Sequence, residues 1–264
     1  MKQKILFILC GGLLLSSLIG CTAASQPPTP TPSSAVSVNT PTDVETETDL
    51  SAPPPSLTQP DELTRFLTQN GYTYQALTDA NCQQLVVVTA EQQEASIQFY
   101  QLIDQLWVEE PSLACSGFVG KNGVSTSKRE GDKFTPVGLY GIGHGFHIPA
   151  TPPPTGLDCL AITEDSYWVD DPESDYYNQY VTTADPTEWN SAEHMIDYQE
   201  YEYGFVINYN SEGVKNAGSA IFFHIGNSYT AGCIATEQAN VLNYLARLDK
   251  TKNPQILIVP KVDR

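Results

Sequence analysis

The sequence predicts a mainly β domain with a few α-helices, and three observations carry that expectation. Short runs of Val, Ile, Leu, Phe and Tyr recur at 85–89, 96–102, 137–142, 205–209, 220–223 and 256–259, with the length and composition of strands. Within one of them, Ser96-Ile97-Gln98-Phe99-Tyr100 alternates polar with apolar residues, as a pleated strand with two unlike faces requires. Only 61–67 and a stretch from Thr236 onward carry helical spacing.

The chain starts with material of another kind. Lys2 and Lys4 precede an apolar stretch from Ile5 to Ile19, too short to span a membrane as a mature helix, which reads as an export signal over 1–20. Leu18-Ile19-Gly20-Cys21 resembles a bacterial lipobox, so cleavage before Cys21 would leave that residue carrying lipid and tie the protein to a membrane. Several acyl chains anchor stably where one does not. Residues 22–60 then hold nine prolines, many Ser and Thr, four acids and no Lys or Arg. Such a segment buries no core. The tether, 21–60, has a polyproline contour of about 120 Å and a coil dimension of about 35 Å, enough to carry a domain away from the membrane surface.

From Asp61 to Arg264 there is enough chain for one sizeable domain without internal repeats. Its first element is a short helix over 61–67. Glycines 141, 143 and 145 and prolines 152–154 mark an irregular region bordering a cleft, with His144 and His147 as loop residues. Trp168 and Trp189 are expected in the core or a cleft wall, and Tyr198, Tyr201 and Tyr203 along one strand face. The last helix takes Thr236 as its N-cap, with Ala239, Val241, Leu242, Leu245, Ala246 and Leu248 as its apolar face.

With 13 basic and 31 acidic residues the net charge is −18, which disfavours nucleic acid as a partner. Of six cysteines, Cys10 leaves with the signal and Cys21 takes lipid, so Cys82, Cys115, Cys159 and Cys233 remain. Export permits disulfides. If Cys233 stays free, one bridge among the other three is the limit, with Cys82–Cys115 one of the pairings open. No Cys or His spacing calls for a metal, and no cofactor is implied.

The chemistry concentrates in Phe223-His224-Ile225-Gly226-Asn227-Ser228-Tyr229-Thr230-Ala231-Gly232-Cys233-Ile234, where eight residues separate a histidine from a cysteine. A thiolate attacks carbonyl carbon and an imidazole within reach can take the thiol proton, so Cys233 is the candidate nucleophile and His224 the candidate base. With a helix starting at Thr236, Cys233 would lie just ahead of a helix N-terminus, which favours negative charge. The bland alternative is a buried cysteine acting as a small hydrophobe.

Two ordered motifs favour the chemical reading. Thr230-Ala231-Gly232-Cys233-Ile234-Ala235 after Phe223-His224, and Lys128-Arg129-Glu130-Gly131-Asp132 ahead of Thr135-Pro136-Val137-Gly138, resemble the L,D-transpeptidase catalytic domain, also called the YkuD domain. Trp168-Val169-Asp170-Asp171-Pro172, Tyr177-Asn178, Ser191-Ala192-Glu193-His194 and Asn208-Tyr209-Asn210 are similar to marks of a subgroup, here with a lipoprotein leader. The resemblance spans about 82–260. Many members have a second His and an Arg where this chain has Ala231 and Ala235, a longer His-to-Cys spacing, and an extra Gly ahead of Lys133.

The resemblance implies a β-sandwich-like catalytic domain acting on peptidoglycan stem peptides, facing the cell wall from a bacterial membrane. Cys233 would form a thioester, releasing D-alanine, and pass the acyl group to an amine. The backbone N–H groups of Gly232 and Cys233 would hold the oxyanion, a carbonyl of Ile225 or Gly226 would orient His224, and His194 would touch substrate. Hydrolysis of the same thioester, as a carboxypeptidase or endopeptidase, and wall binding without catalysis both stay open.

Overall fold

Apolar runs such as Leu85-Val86-Val87-Val88 and Ile256-Leu257-Ile258-Val259 have no polar face, so their strands need cover on both sides. In the computed structural model, which describes residues 62–262, they receive it. The export signal, Cys21 and the tether lie outside the described residues. In chain order the elements are α1 (Glu62–Gln69), α2 (Tyr74–Asp79), β1 (Gln84–Glu91), β2 (Glu94–Ile103), β3 (Leu106–Glu109), β4 (Cys115–Phe118), β5 (Val124–Ser125), β6 (Thr135–Pro136), β7 (Gly138–His147) and β8 (Cys159–Ala161). They continue with β9 (Ser166–Val169), β10 (Tyr180–Thr182), β11 (Ala192–His194), β12 (Tyr203–Ile207), β13 (Phe222–Ile225), β14 (Ile234–Thr236), α3 (Gln238–Arg247) and β15 (Gln255–Pro260).

Eight of these strands form a ring in the order β1, β15, β7, β12, β13, β14, β4, β2, closed by antiparallel pairing of β2 with β1. Closure removes the open edges that an eight-stranded sheet would expose. Strand β3 adds to β2 and β8 to β7. The domain is mainly β, and the expected sandwich-like arrangement takes the form of a sheet curled onto itself, with opposed inner faces.

Period-2 alternation assigns each side chain to one side of the ring. Val86, Val88, Ile97, Phe99, Phe205, Phe223, Ile234, Ile256 and Ile258 meet in one buried cluster, completed by Val241, Tyr244, Leu245 and Leu248 of α3. Leu85, Val87, Leu257 and Val259 point the other way and are covered by Leu63, Leu67 and Leu77 of α1 and α2. On the far outer side, Phe146, Val206, Phe222 and Cys233 are covered by Ile162, Trp168, Met195 and Tyr201, from the segment containing the three-stranded sheet β10-β9-β11. Close packing there needs Gly204: a Cβ at that position would lie 2.6 Å from the Phe223 carbonyl oxygen and collide with the Phe146 ring.

The structure revises several sequence expectations. Thr236 belongs to β14, and its hydroxyl donates to the Ser116 carbonyl at 2.8 Å, so α3 starts two residues later with Glu237 at its N-cap. Tyr244 joins the buried face of α3, its hydroxyl donating to the Leu113 carbonyl at 3.0 Å, while Ala239 and Ala246 are exposed. Glycines 141, 143 and 145, with His144 and His147, lie within β7 and not in a loop. Tyr201 ends a 3-10 turn (Gln199–Tyr201), so only Tyr203 of the three tyrosines is on a strand. Cys82, Cys115, Cys159 and Cys233 are all free thiols, and the Cys82 sulfhydryl donates to the Gln84 carbonyl at 3.2 Å.

Phe223 is fully buried and stacks on Phe205 with ring centroids 4.7 Å apart. Phe223→Ala should lower unfolding free energy by about 3–5 kcal/mol in urea titration, whereas Val214→Ala, at a 57 % exposed position, should stay within about 0.5 kcal/mol.

Candidate active site

Strands β13 and β14 run parallel with Phe223 opposite Ile234 and His224 opposite Ala235. Phe223 and Ile234 face the interior of the ring, so alternation turns Phe222 and His224 of β13, and Cys233 and Ala235, to the outer side. There His224 and Cys233 line one cavity of about 420 Å³. A larger groove, about 1030 Å³, lies against α1, β1, β2 and β4 and includes neither residue.

The segment before Cys233 is fastened at both ends. The Gly226 N–H donates to the Thr236 carbonyl at 2.8 Å and the Thr230 N–H to the Val119 carbonyl at 3.0 Å. The Thr230 hydroxyl donates to the Cys233 carbonyl at 2.6 Å and accepts from the Gly232 N–H at 3.0 Å. The fully buried Thr135 donates its hydroxyl to the Gly232 carbonyl at 2.7 Å and accepts from the Gly120 N–H at 2.8 Å. The Lys128–Asp132 motif continues this cradle. Lys128 pairs with Asp132 at 2.8 Å and donates to the Arg129 carbonyl at 3.0 Å, and Glu130 accepts from the Ser219 hydroxyl at 2.7 Å and from the Tyr177 hydroxyl.

Cys233 and His224 are each 6 % exposed. The Cys233 sulfhydryl donates to the Ala220 carbonyl at 3.2 Å while its sulfur accepts from the Phe222 N–H at 3.4 Å. Burial, then the Glu193 carboxylate, push its pKa up to about 12, against the Phe222 N–H and Lys128. His224 is pushed below its ordinary value, first by burial. Its Nδ1 lies 2.8 Å from the Ile225 carbonyl oxygen. A carbonyl only accepts, so Nδ1 carries the hydrogen and the neutral ring keeps its lone pair on Nε2. The resting pair is therefore a thiol and a neutral imidazole. The expected helix N-terminus plays no part, because β14 separates Cys233 from α3.

Other expected contacts are distributed differently. Gly226 offers its N–H to Thr236, and the carbonyl bonded to His224 is that of Ile225. The Gly232 N–H donates to the Thr230 hydroxyl at 3.0 Å. His194 does not border this cavity: Nδ1 meets Asp197 Oδ2 at 2.9 Å, Nε2 meets the Glu164 carbonyl at 2.7 Å, and the ring stacks on Tyr167 at 4.6 Å. Its neighbour Glu193 lines the cavity instead, with Asp170, Tyr198 and Tyr201.

Residues 84–258 match the sequence model of YkuD, the L,D-transpeptidase catalytic domain. The chain belongs to this family. A search of curated proteins finds none that matches this YkuD chain. Among solved structures it is similar to the helical cell shape determining protein Pgp2 from Campylobacter jejuni, at 16 % identity and a TM-score of 0.37. The match covers 69 % of this chain and 49 % of that one, so the YkuD chain spans about half the length of that relative.

Sequence reading of the YkuD motifs missed the bonding roles of Thr135 and Thr230 and the wall position of Tyr201. The two threonines stood inside motifs already quoted, so their signal was present. Tyr201 had none, since its place depends on the 3-10 turn that carries it.

Glu193 is the titrating group of this wall. Its burial, with the Asp170 and Glu130 charges, raises it to about 7 against the Tyr201 hydrogen bond. A carboxyl raised on folding adds stability below its unfolded pKa and loses that contribution as pH rises through the folded value. The melting temperature of wild type relative to Glu193→Gln should therefore fall between about pH 4.5 and 7, measured by calorimetry on both proteins.

Proposed function

We propose that this L,D-transpeptidase-type domain is a cysteine acyltransferase acting on peptidoglycan stem peptides outside the cytoplasm, with Cys233 as nucleophile and His224 as base and acid. The observation that carries this reading is the joint exposure of both side chains to one cavity, with His224 held so that Nε2 keeps its lone pair.

A thiol whose pKa burial pushes up to about 12 is almost wholly protonated at neutral pH. Proton transfer must therefore accompany attack. As Sγ closes on the carbonyl carbon ahead of the terminal D-alanine, its proton passes to His224 Nε2, and the resulting imidazolium is steadied by the Ile225 carbonyl at Nδ1. The tetrahedral oxyanion is held by the Cys233 N–H. Collapse breaks the C–N bond, His224 returns the proton to the leaving amine, and D-alanine departs. An amine of a second stem then attacks the thioester, forming an amide and restoring the thiol.

Hydrolysis is the second reading, and one observation favours it. Ala235 is buried opposite His224 and borders the same cavity. The cationic side chain common at this place in the family is thus replaced by a methyl group, which offers an acceptor no charge to bind and leaves water better able to compete. The lipid anchor at Cys21 is part of the proposal, supported by the lipobox-like sequence. Among the described residues no helix is long and apolar enough to cross a membrane.

Purified protein incubated with muropeptides should yield cross-linked dimers lacking D-alanine, read by mass; monomers shortened by one residue indicate hydrolysis. Cys233→Ala should abolish either product and His224→Gln should lower kcat by about 10²–10⁴-fold. Full turnover by Cys233→Ala would remove the mechanism, and binding without any mass change in wild type would leave a wall-binding protein. In cells, labelled palmitate should enter wild type and not Cys21→Ser.

A further inference from the structure

The Ser191-Ala192-Glu193-His194 motif contains an acid that the chemistry above does not use. Glu193 stands on β11 opposite Trp168 of β9, and its side chain lines the cavity shared by Cys233 and His224. Its Oε2 accepts from the Tyr201 hydroxyl at 2.6 Å. The Tyr201 ring in turn meets the His224 imidazole edge to face at 5.3 Å and the Phe222 ring at 5.3 Å, and the Phe222 N–H reaches the Cys233 sulfur. A short run of direct contacts thus joins the carboxylate to both members of the candidate pair.

We propose that Glu193 is a positioning residue that fixes His224 through Tyr201 and whose negative charge, added to the effect of burial, further disfavours the Cys233 thiolate until that charge is neutralised. The role rests on the reading of Cys233 as the acylated sulfur. Two negative charges bordering one cavity oppose each other, so an ionised Glu193 disfavours a thiolate and a neutral one does not. A proton provides the neutral form in mild acid, and an ammonium group on a docked ligand would do so near neutrality. The thiol proton goes to His224 in either state, and Glu193 neither gains nor loses a bond to sulfur.

The groups facing Glu193 reinforce this coupling. Asp170 follows β9, Glu130 comes from the segment ahead of β6, and Tyr198 and Tyr201 flank it from the 3-10 turn. His224 and Cys233 lie on the same cavity wall, and Lys128 acts on Cys233 with the opposite sign. Buried among acids, Glu193 titrates at about 7, inside the range where its charge can switch.

The test is alkylation of the full-length protein by iodoacetamide between about pH 5.5 and 9, following the Cys233 peptide by mass. In wild type the logarithm of the rate should climb by less than one per pH unit near pH 7, because the ionising carboxylate raises the thiol pKa as the pH rises. Glu193→Gln keeps an acceptor for the Tyr201 hydroxyl, so it should show unit slope throughout and alkylate at least about fivefold faster at pH 8. Tyr201→Phe keeps the charge and should keep the shallow region, while kcat on muropeptides falls with KM little changed. Unit slope in wild type across the range, or a Glu193→Gln protein no faster than wild type, overturns the proposal, and the wild-type slope decides it even if the variant fails to fold. A shallow slope in a protein that turns over no muropeptide would uphold the coupling and refute the catalytic reading.

Discussion

The parallel pairing of β13 with β14, in the register Phe223 opposite Ile234, is the constraint on which the site depends. It sends two large apolar side chains into the ring and, by alternation, sends His224 and Cys233 out together on the other face. A slip of one residue in β14 would carry Cys233 into the apolar interior and Ile234 into the cavity. Burial of Ile234 and Phe223 therefore fixes the chemistry's geometry. A parallel neighbour cannot be reached by a tight hairpin, which is why the chain needs the segment from Gly226 to Cys233 and why that segment is bonded so heavily by Thr135 and Thr230.

That segment also explains why a motif nearly a hundred residues upstream belongs to the same site. Lys128, Asp132 and Thr135 form a support under Gly232, with Lys128 Cε 3.5 Å from where a Cβ on that glycine would stand. Thr135 holds the backbone at Gly232 and Cys233 directly, Lys128 and Asp132 tie the segment ahead of it together, and the Lys128 charge also acts on the sulfur. The candidate pair is consequently held by two elements, a strand register on one side and a hydrogen-bonded loop on the other. Neither element alone determines the position of the sulfur.

The strongly periodic strands were legible in sequence because their side chains report burial directly: 85–89, 96–102 and 256–259 fall within β1, β2 and β15. Short strands such as β4, β9 and β14 were not, since three or four residues carry no period. The glycines of β7 misled for a different reason. Gly143 and Gly145 lie in a strand because larger residues would meet Asn208, or Cys159 and Leu245, a demand of neighbours that chain-local reading cannot detect. The same limit applied at Thr236, a good helix cap by type, whose hydroxyl is taken by the Ser116 carbonyl on the neighbouring strand β4. For the site, residue types named His224 and Cys233, but the sign of the thiol's shift required knowing that the sulfur is buried and then that Glu193 borders the same cavity.

Asp132 and Glu193 then show what decides the state of an acid in such a wall. Desolvation raises both and is the largest influence on each. Asp132 nevertheless ends below its ordinary value, because the Lys128 ammonium, the Phe134 N–H and the Arg129 N–H all donate to its carboxylate. Glu193 has one donor, the Tyr201 hydroxyl, and two acidic neighbours, and ends near 7. Shallower burial together with more donors separates a carboxylate held in its charged form from one free to change it. The Asp132 carboxylate beneath Cys233 is of the first kind and the Glu193 carboxyl on the wall facing it of the second.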